Sequence, residues 1–189
     1  MQIKLDLLFL RHNFFNDGAF ANMKKVKILF LCTGNSCRSQ MAEGWTRTLK
    51  SEEIEAFSAG IETHGLNPSA VLVMAEAGVD ITCQQSQLFG DFSDKTFDWV
   101  ITVCGHAHES CPILPAGTKV VHVGFEDPPK LAKALADQGA TVEEQLEPYR
   151  QVRDEIHNFV LTLPQYLETF IDSGPIIDVP DCSQCSGCD

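Results

Sequence analysis

Val26-Lys27-Ile28-Leu29-Phe30-Leu31 runs straight into Cys32-Thr33-Gly34-Asn35-Ser36-Cys37-Arg38-Ser39 and then Gln40-Met41-Ala42-Glu43-Gly44-Trp45. The apolar run 26–31 reads as a strand buried on both faces, the pattern of a parallel sheet. Residues 39–50 carry Met41, Ala42, Trp45 and Leu49 at helical spacing. A strand that turns tightly into a helix aims backbone N–H groups outward at the positive end of the helix dipole, which makes a cradle for a tetrahedral oxyanion. Thr33, Gly34, Asn35, Ser36, Cys37, Arg38 and Ser39 line that cradle. Cys32 opens it, and Arg38 closes it with a planar fork of donors. Gly34 and Asn35 are the residues expected to supply left-handed backbone angles within it. The same field predicts a Cys32 thiolate at neutral pH, below the free-thiol value of about 8.5. Ser39 is placed to donate a hydrogen bond to its sulfur, and Cys37 reads as a small packed residue.

A chain of 189 residues is long enough for one α/β domain with its own core. A net charge of −12 without a basic cluster beyond Lys24-Lys25 argues against nucleic acid as partner, so any anion site must be local. No apolar run approaches the roughly 20 residues that span a bilayer, which argues against a membrane. Eight cysteines grouped around an oxyanion loop, in a chain of this size, point to reduced, reactive thiols and a cytoplasmic setting. Residues 1–22 do not share the patterning of the rest of the chain and read as an N-terminal extension, the domain running from 23 to 172. Residues 173–189 read as a flexible tail carrying Cys182, Cys185 and Cys188.

Further strands are expected at 54–58, closed by Ala59-Gly60, at 97–103 and at 119–123. Asn67-Pro68 starts a helix that ends near Gly78, and residues 80–96 are polar and irregular. Thr141-x-x-Glu144 is a capping box before a long amphipathic helix with Val142, Leu146, Tyr149, Val152, Ile156, Phe159, Val160 and Leu163 as its apolar stripe. Open parallel sheets carry their chemistry at strand C-terminal ends. Cys32, Cys104 and Asp127 each follow a different strand there, which brings three reactive groups to one edge. The fold class expected is α/β, a three-layer, four-stranded parallel sheet flanked by helices.

The run CTGNSCRSQMAEG, the Cys104…Cys111 pair and Asp127-Pro128 together resemble the thioredoxin-coupled arsenate reductases of the low-molecular-weight tyrosine phosphatase fold, over about residues 24–165. The resemblance implies Cys32 as nucleophile, Arg38 as oxyanion clamp, Asp127 as general acid and Cys104 and Cys111 as a disulfide relay. It also implies thioredoxin as electron donor, with phosphate and sulfate as anions that compete with arsenate. No tightly bound cofactor is implied, but a potassium ion near the loop is, with Asn35, Glu43 and Ser58 matching its ligands. Gln85 and Gln87 stand where Thr and Asp are expected for that ion.

Two other readings use the same residues. A tyrosine phosphatase needs only the loop and Asp127, but residues 128–136 lack the adjacent aromatics that would hold a substrate ring. A thiolate metal- or arsenite-binding module would use Cys104, His106, His108 and Cys111, or the soft ligands Cys182, Cys185 and Cys188. Neither set matches the paired zinc spacings, and His106 and His108 read as solvated loop residues.

Overall fold

The computed structural model of the chain describes residues 24–109, 114 and 117–169. The expectations for residues 1–22, for Cys111 and for the tail with Cys182, Cys185 and Cys188 lie outside the described residues. In chain order the elements are β1 (Val26–Cys32), α1 (Arg38–Leu49), β2 (Ile54–Gly60), α2 (Pro68–Glu76), a 3₁₀ turn (Phe89–Phe92), β3 (Trp99–Thr102), α3 (Gly105–Glu109), β4 (Lys119–His122), α4 (Pro128–Asp137), α5 (Val142–Thr162) and α6 (Gln165–Glu168).

The four strands form one parallel sheet in the order β2-β1-β3-β4. Because the chain moves from β1 to one side and later returns to the other, β1 and β3 flank a switch point, and a crevice opens beyond their C-terminal ends. β1 is central, and Ile28, Leu29, Phe30 and Leu31 are fully buried. Each such side chain stabilises the fold by roughly 1.5–3 kcal/mol. Helix α1 packs on β1 and β2, and α5 packs on α1, α2 and α4.

Local signals place the helix starts. Asn67 caps α2 by accepting from the Ser69 and Ala70 N–H groups at 2.9 and 3.1 Å. Thr141 and Glu144 form the capping box of α5, with the Thr141 N–H donating to Glu144 Oε2 at 2.7 Å. In the α5 stripe Leu146, Tyr149, Val152, Ile156, Val160 and Leu163 are buried and Phe159 is partly so, whereas Val142 at the helix start is 75% exposed.

Three features differ from the expected elements. β3 is shorter than 97–103, because Phe97 turns into an edge-to-face cluster with Phe57 and Phe92 under the irregular segment. His106 and His108 fall within α3 rather than a loop. Helix α4 is an additional element, although Asp127-Pro128-Pro129 repeats the cap-then-proline signal of Asn67-Pro68.

Gly60 ties β2 to the loop after β1. A Cβ there would lie 2.1 Å from the Glu62 carbonyl and 2.8 Å from both the Thr33 carbonyl and the Asn35 nitrogen. All three are backbone atoms, so nothing can swing aside. Beyond it, the Glu62 N–H donates to the Thr33 carbonyl at 2.8 Å and the His64 N–H to that of Gly34 at 2.9 Å. Segment 61–64 is thereby laced along the loop.

Candidate active site

The loop after β1 gathers its groups around one sulfur. Cys32 is 4% exposed. Its Sγ lies 2.9 Å from Ser39 Oγ and accepts from the Asn35 N–H at 3.1 Å. Asn35 takes the left-handed conformation at φ 44°. Gly34 does not. A Cβ there would sit 2.3 Å from Nδ1 of His64, whose ring lies directly on it.

The orientation of the Asn35 amide follows from a donor that cannot flip. The Gln87 backbone N–H donates to Asn35 Oδ1 at 2.7 Å, so Nδ2 must face the other way. Nδ2 donates to Ser39 Oγ at 3.0 Å and to Ser58 Oγ at 2.9 Å. Ser39 therefore accepts from Asn35, and its own proton is directed at the Cys32 sulfur. Ser58 donates in turn to Glu43 Oε2 at 2.5 Å, and Arg47 Nη2 meets the other carboxylate oxygen at 2.5 Å. A polarised chain thus runs from Arg47 at the surface to Cys32.

The buried hub of this network is Gln40, which sequence reasoning does not single out. Its Nε2 donates to Asn35 Oδ1 at 3.0 Å and to the Gln85 carbonyl at 2.9 Å, while Gln84 Nε2 donates to its Oε1 at 2.6 Å. The available signal is Gly44 one turn on, the small residue that lets Gln84 and Ile81 close over that face.

Burial pushes the Cys32 thiol up and Cys104 adds to the rise, against the Ser39 hydroxyl, the Asn35 N–H and the Arg38 charge. The direction is opposite to the lowering expected from the loop and Arg38. Arg38 pulls the value down as anticipated, but the desolvation of a nearly enclosed sulfur is the largest effect. Burial pushes Cys37 up as well, in keeping with a packed thiol.

Arg38 reaches across to the β4 edge. Its Nη1 donates to the Phe125 carbonyl at 3.0 Å and its Nη2 stands 3.6 Å from Asp127 Oδ2. Asp127 occupies the N-cap position of α4 but makes no side-chain capping bond, which leaves its carboxyl to the site. Cys104 is 4% exposed at the end of β3, with Thr33 Oγ1 3.3 Å from its Sγ. The three strand ends therefore converge as expected. A pocket of about 430 Å³ opens over the loop after β1 and the start of α4, lined by Cys32, Thr33, Ser36, Arg38, His64 and Asp127 among others. No aromatic ring of Phe, Tyr or Trp lines it among the described residues.

Asn35, Glu43 and Ser58 do meet, but their donor set does not fit potassium. Asn35 presents N–H to Ser58, its oxygen is taken by Gln87 and Gln40, and both Glu43 oxygens are occupied by Ser58 and Arg47. A hard cation needs a cage of free oxygens.

Burial pushes the Glu43 carboxyl up, with Ser58 and Arg47 pulling it back. Between pH 4.5 and that raised value the folded state holds more protons than the unfolded, so stability falls as pH rises. Glu43→Gln removes this titration. Urea unfolding is expected to show the variant gaining on the parent as pH climbs through the window above 4.5, with a constant difference below it. A difference that is flat throughout would mean that Glu43 is ionised in the folded protein as readily as in the unfolded chain.

Residues 27–169 match the family model of the low molecular weight phosphotyrosine protein phosphatases. An arsenate reductase of Oceanobacillus iheyensis is 53% identical over 71% of this chain and 91% of its own length. One of Halalkalibacterium halodurans is 46% identical over 76% of this chain and 98% of its own. A solved arsenate reductase in the phosphate binding state is 33% identical with a TM-score of 0.57, covering 73% of this chain and 95% of that one. With the C-x5-R loop on β1, the acid on the β4 loop and these matches, the chain belongs to the low molecular weight phosphotyrosine protein phosphatase family, alongside its arsenate reductases.

Proposed function

We propose that the protein reduces arsenate to arsenite by a thiol relay that starts at Cys32 and is recycled by thioredoxin in the cytoplasm. The observation that carries this reading is the second buried thiol, Cys104, held by Thr33 at 3.3 Å on the same loop as the nucleophile. A phosphatase needs water there, not a thiol. The absence of an aromatic wall among the described residues supports the same choice.

The chemistry balances on this chain's own groups. Arsenate enters as an anion against Arg38 and the loop, as phosphate or sulfate would. On this reading the Cys32 thiol passes its proton to an oxygen of the anion as attack begins. The thiolate forms a bond to arsenic, and Asp127 gives the departing hydroxyl the proton with which it leaves as water. The Cys104 thiol then attacks Cys32 Sγ, giving its proton to the Asp127 carboxylate left by the first step. The electron pair of the S–As bond stays on arsenic, which goes from As(V) to As(III) and departs as arsenite. A Cys32–Cys104 disulfide remains, and exchange with Cys111 transfers it to a Cys104–Cys111 bridge that thioredoxin reduces. The loop itself needs no potassium on this reading, since Arg47 and the glutamine amides hold Glu43 and Asn35.

The deciding experiment is arsenate-dependent NADPH oxidation with thioredoxin and thioredoxin reductase, set beside hydrolysis of p-nitrophenyl phosphate. Turnover of the ester without arsenate-dependent oxidation would make the protein a phosphatase. Asp127→Asn is expected to slow turnover by about 10²-fold, the contribution of one general acid. Phosphate affinity, read by titration calorimetry, should stay within about twofold because Arg38 and the loop are untouched. A variant that turns over normally would remove Asp127 from the proton path.

A further inference from the structure

Two donors point at the Cys32 sulfur, and both depend on Asn35. The Asn35 N–H donates to Cys32 Sγ at 3.1 Å. Asn35 Nδ2 donates to Ser39 Oγ at 3.0 Å, which turns the Ser39 proton toward the same sulfur, 2.9 Å away. Among the described residues Asn35 alone of the non-glycines has a left-handed backbone, at φ 44°. Such a conformation costs free energy and persists where its surroundings hold it.

Gln40 holds Asn35 at both ends. A long side chain in the first turn of a helix points back toward the helix start. Gln40 Nε2 thereby reaches the Asn35 carbonyl at 3.1 Å and Asn35 Oδ1 at 3.0 Å, with the Gln85 carbonyl at 2.9 Å. Two of these three acceptors are backbone carbonyls, which cannot donate, so the orientation of the Gln40 amide is fixed. Its Oε1 must then accept. Gln84 Nε2 is the donor, at 2.6 Å, and also donates to the Gln40 carbonyl at 3.0 Å. Gln40 and Asn35 are both fully buried, so losing the amide takes a donor from a carbonyl that water does not reach.

We infer that Gln40, braced by Gln84, is a positioning residue for the nucleophile, acting through Asn35 to keep two donors aimed at the Cys32 sulfur. It does not line the pocket, so it acts on the reactivity of the thiol and not on capture of the anion. The donors stabilise negative charge on sulfur, which must build up as the sulfur attacks. This rests on the reading of Cys32 as nucleophile in an oxyanion loop, and the test separates the two.

The probe is iodoacetamide at one fixed pH, with labelling of Cys32 in the full-length protein followed by peptide mass spectrometry. Steady-state arsenate kinetics and calorimetric titration of inorganic phosphate run alongside. In the parent, protection of Cys32 by phosphate tests the loop reading by itself, and labelling indifferent to phosphate overturns that reading. The role of Gln40 is read from the ratio of variant to parent, which needs no arsenate turnover. Gln40→Met keeps about the same volume without an amide. It is expected to slow Cys32 labelling and kcat by about tenfold, roughly the loss of one hydrogen bond to a charged group, with KM and phosphate affinity within about threefold. Gln84→Ala, at a half-buried position, removes only the brace and should show a smaller loss of the same kind. It also serves where Gln40→Met does not fold. Unchanged labelling in each variant that folds, or phosphate affinity falling as far as kcat, overturns the proposal and leaves Gln40 as packing beneath the loop.

Discussion

Cys32→Ser is expected to abolish arsenate reduction and p-nitrophenyl phosphate hydrolysis together, each by at least about 10⁴-fold, because both begin with the same nucleophile. A serine hydroxyl in that position is held by the same Ser39 and Asn35 contacts, yet it has no accessible anion near neutral pH and no sulfur to oxidise. Binding should survive. The anion is held by Arg38 and by the loop that starts α1, neither of which the substitution removes, so phosphate affinity should stay close to the parent's. The expected result is therefore a folded protein that binds the oxyanion and does nothing to it. Residual ester hydrolysis at a few per cent of the parent rate would show that water, activated elsewhere, is the true nucleophile.

The parts of this site that are legible in the sequence are those encoded locally. Strand, loop and helix follow one another within residues 26–49, and the apolar run, the Gly-Asn pair and the helical spacing each announce their element. Asp127 and Cys104 can be placed because an open parallel sheet sends every strand's C-terminal end to one edge, so counting strands is enough. The cap at Asn67 and the capping box at Thr141 have the same local character.

What escapes is carried by contacts distant in sequence. Gln40 meets Gln84 and Gln85 across more than forty residues, and Gly44 one turn on is the single local sign of that contact. His64 packs on Gly34, thirty residues before it, and of the left-handed angles expected of Gly34 and Asn35 only that of Asn35 is taken. The charge state of Cys32 is hidden for a related reason. Helix dipole and arginine can be counted from the motif, whereas desolvation depends on everything that folds over the sulfur. Helix α4 is a different case, since its cap-and-proline start is written in the sequence at Asp127-Pro128-Pro129 and only its extent depends on packing against α5.

Cys104→Ser should separate the two activities that Cys32→Ser abolishes together. Hydrolysis of a phosphate ester needs only Cys32, Arg38, Asp127 and water, so its rate should stay within about twofold of the parent's. Arsenate turnover with thioredoxin as sole reductant should fall by at least about 10³-fold, because no second thiol can take the electron pair's place on Cys32 sulfur. The serine hydroxyl introduced there would keep the contact with Thr33, so loop geometry is preserved and the loss is one of redox chemistry. The variant should also accumulate the first adduct, visible as arsenate bound covalently to Cys32 by intact-protein mass spectrometry and released by added small thiols. That detail distinguishes the relay from simple damage to the site, in which no adduct would form. Full-rate arsenate turnover in Cys104→Ser would mean that electrons reach Cys32 by another route. Burial pushes the thiol of Cys37 in the same loop up, which disfavours it for that route. The buried position of Cys104 argues the same point from the other direction. A thiol placed at the end of β3, enclosed and within reach of the loop, is shielded from outside oxidants and open to one partner, the sulfur that has just bound arsenic.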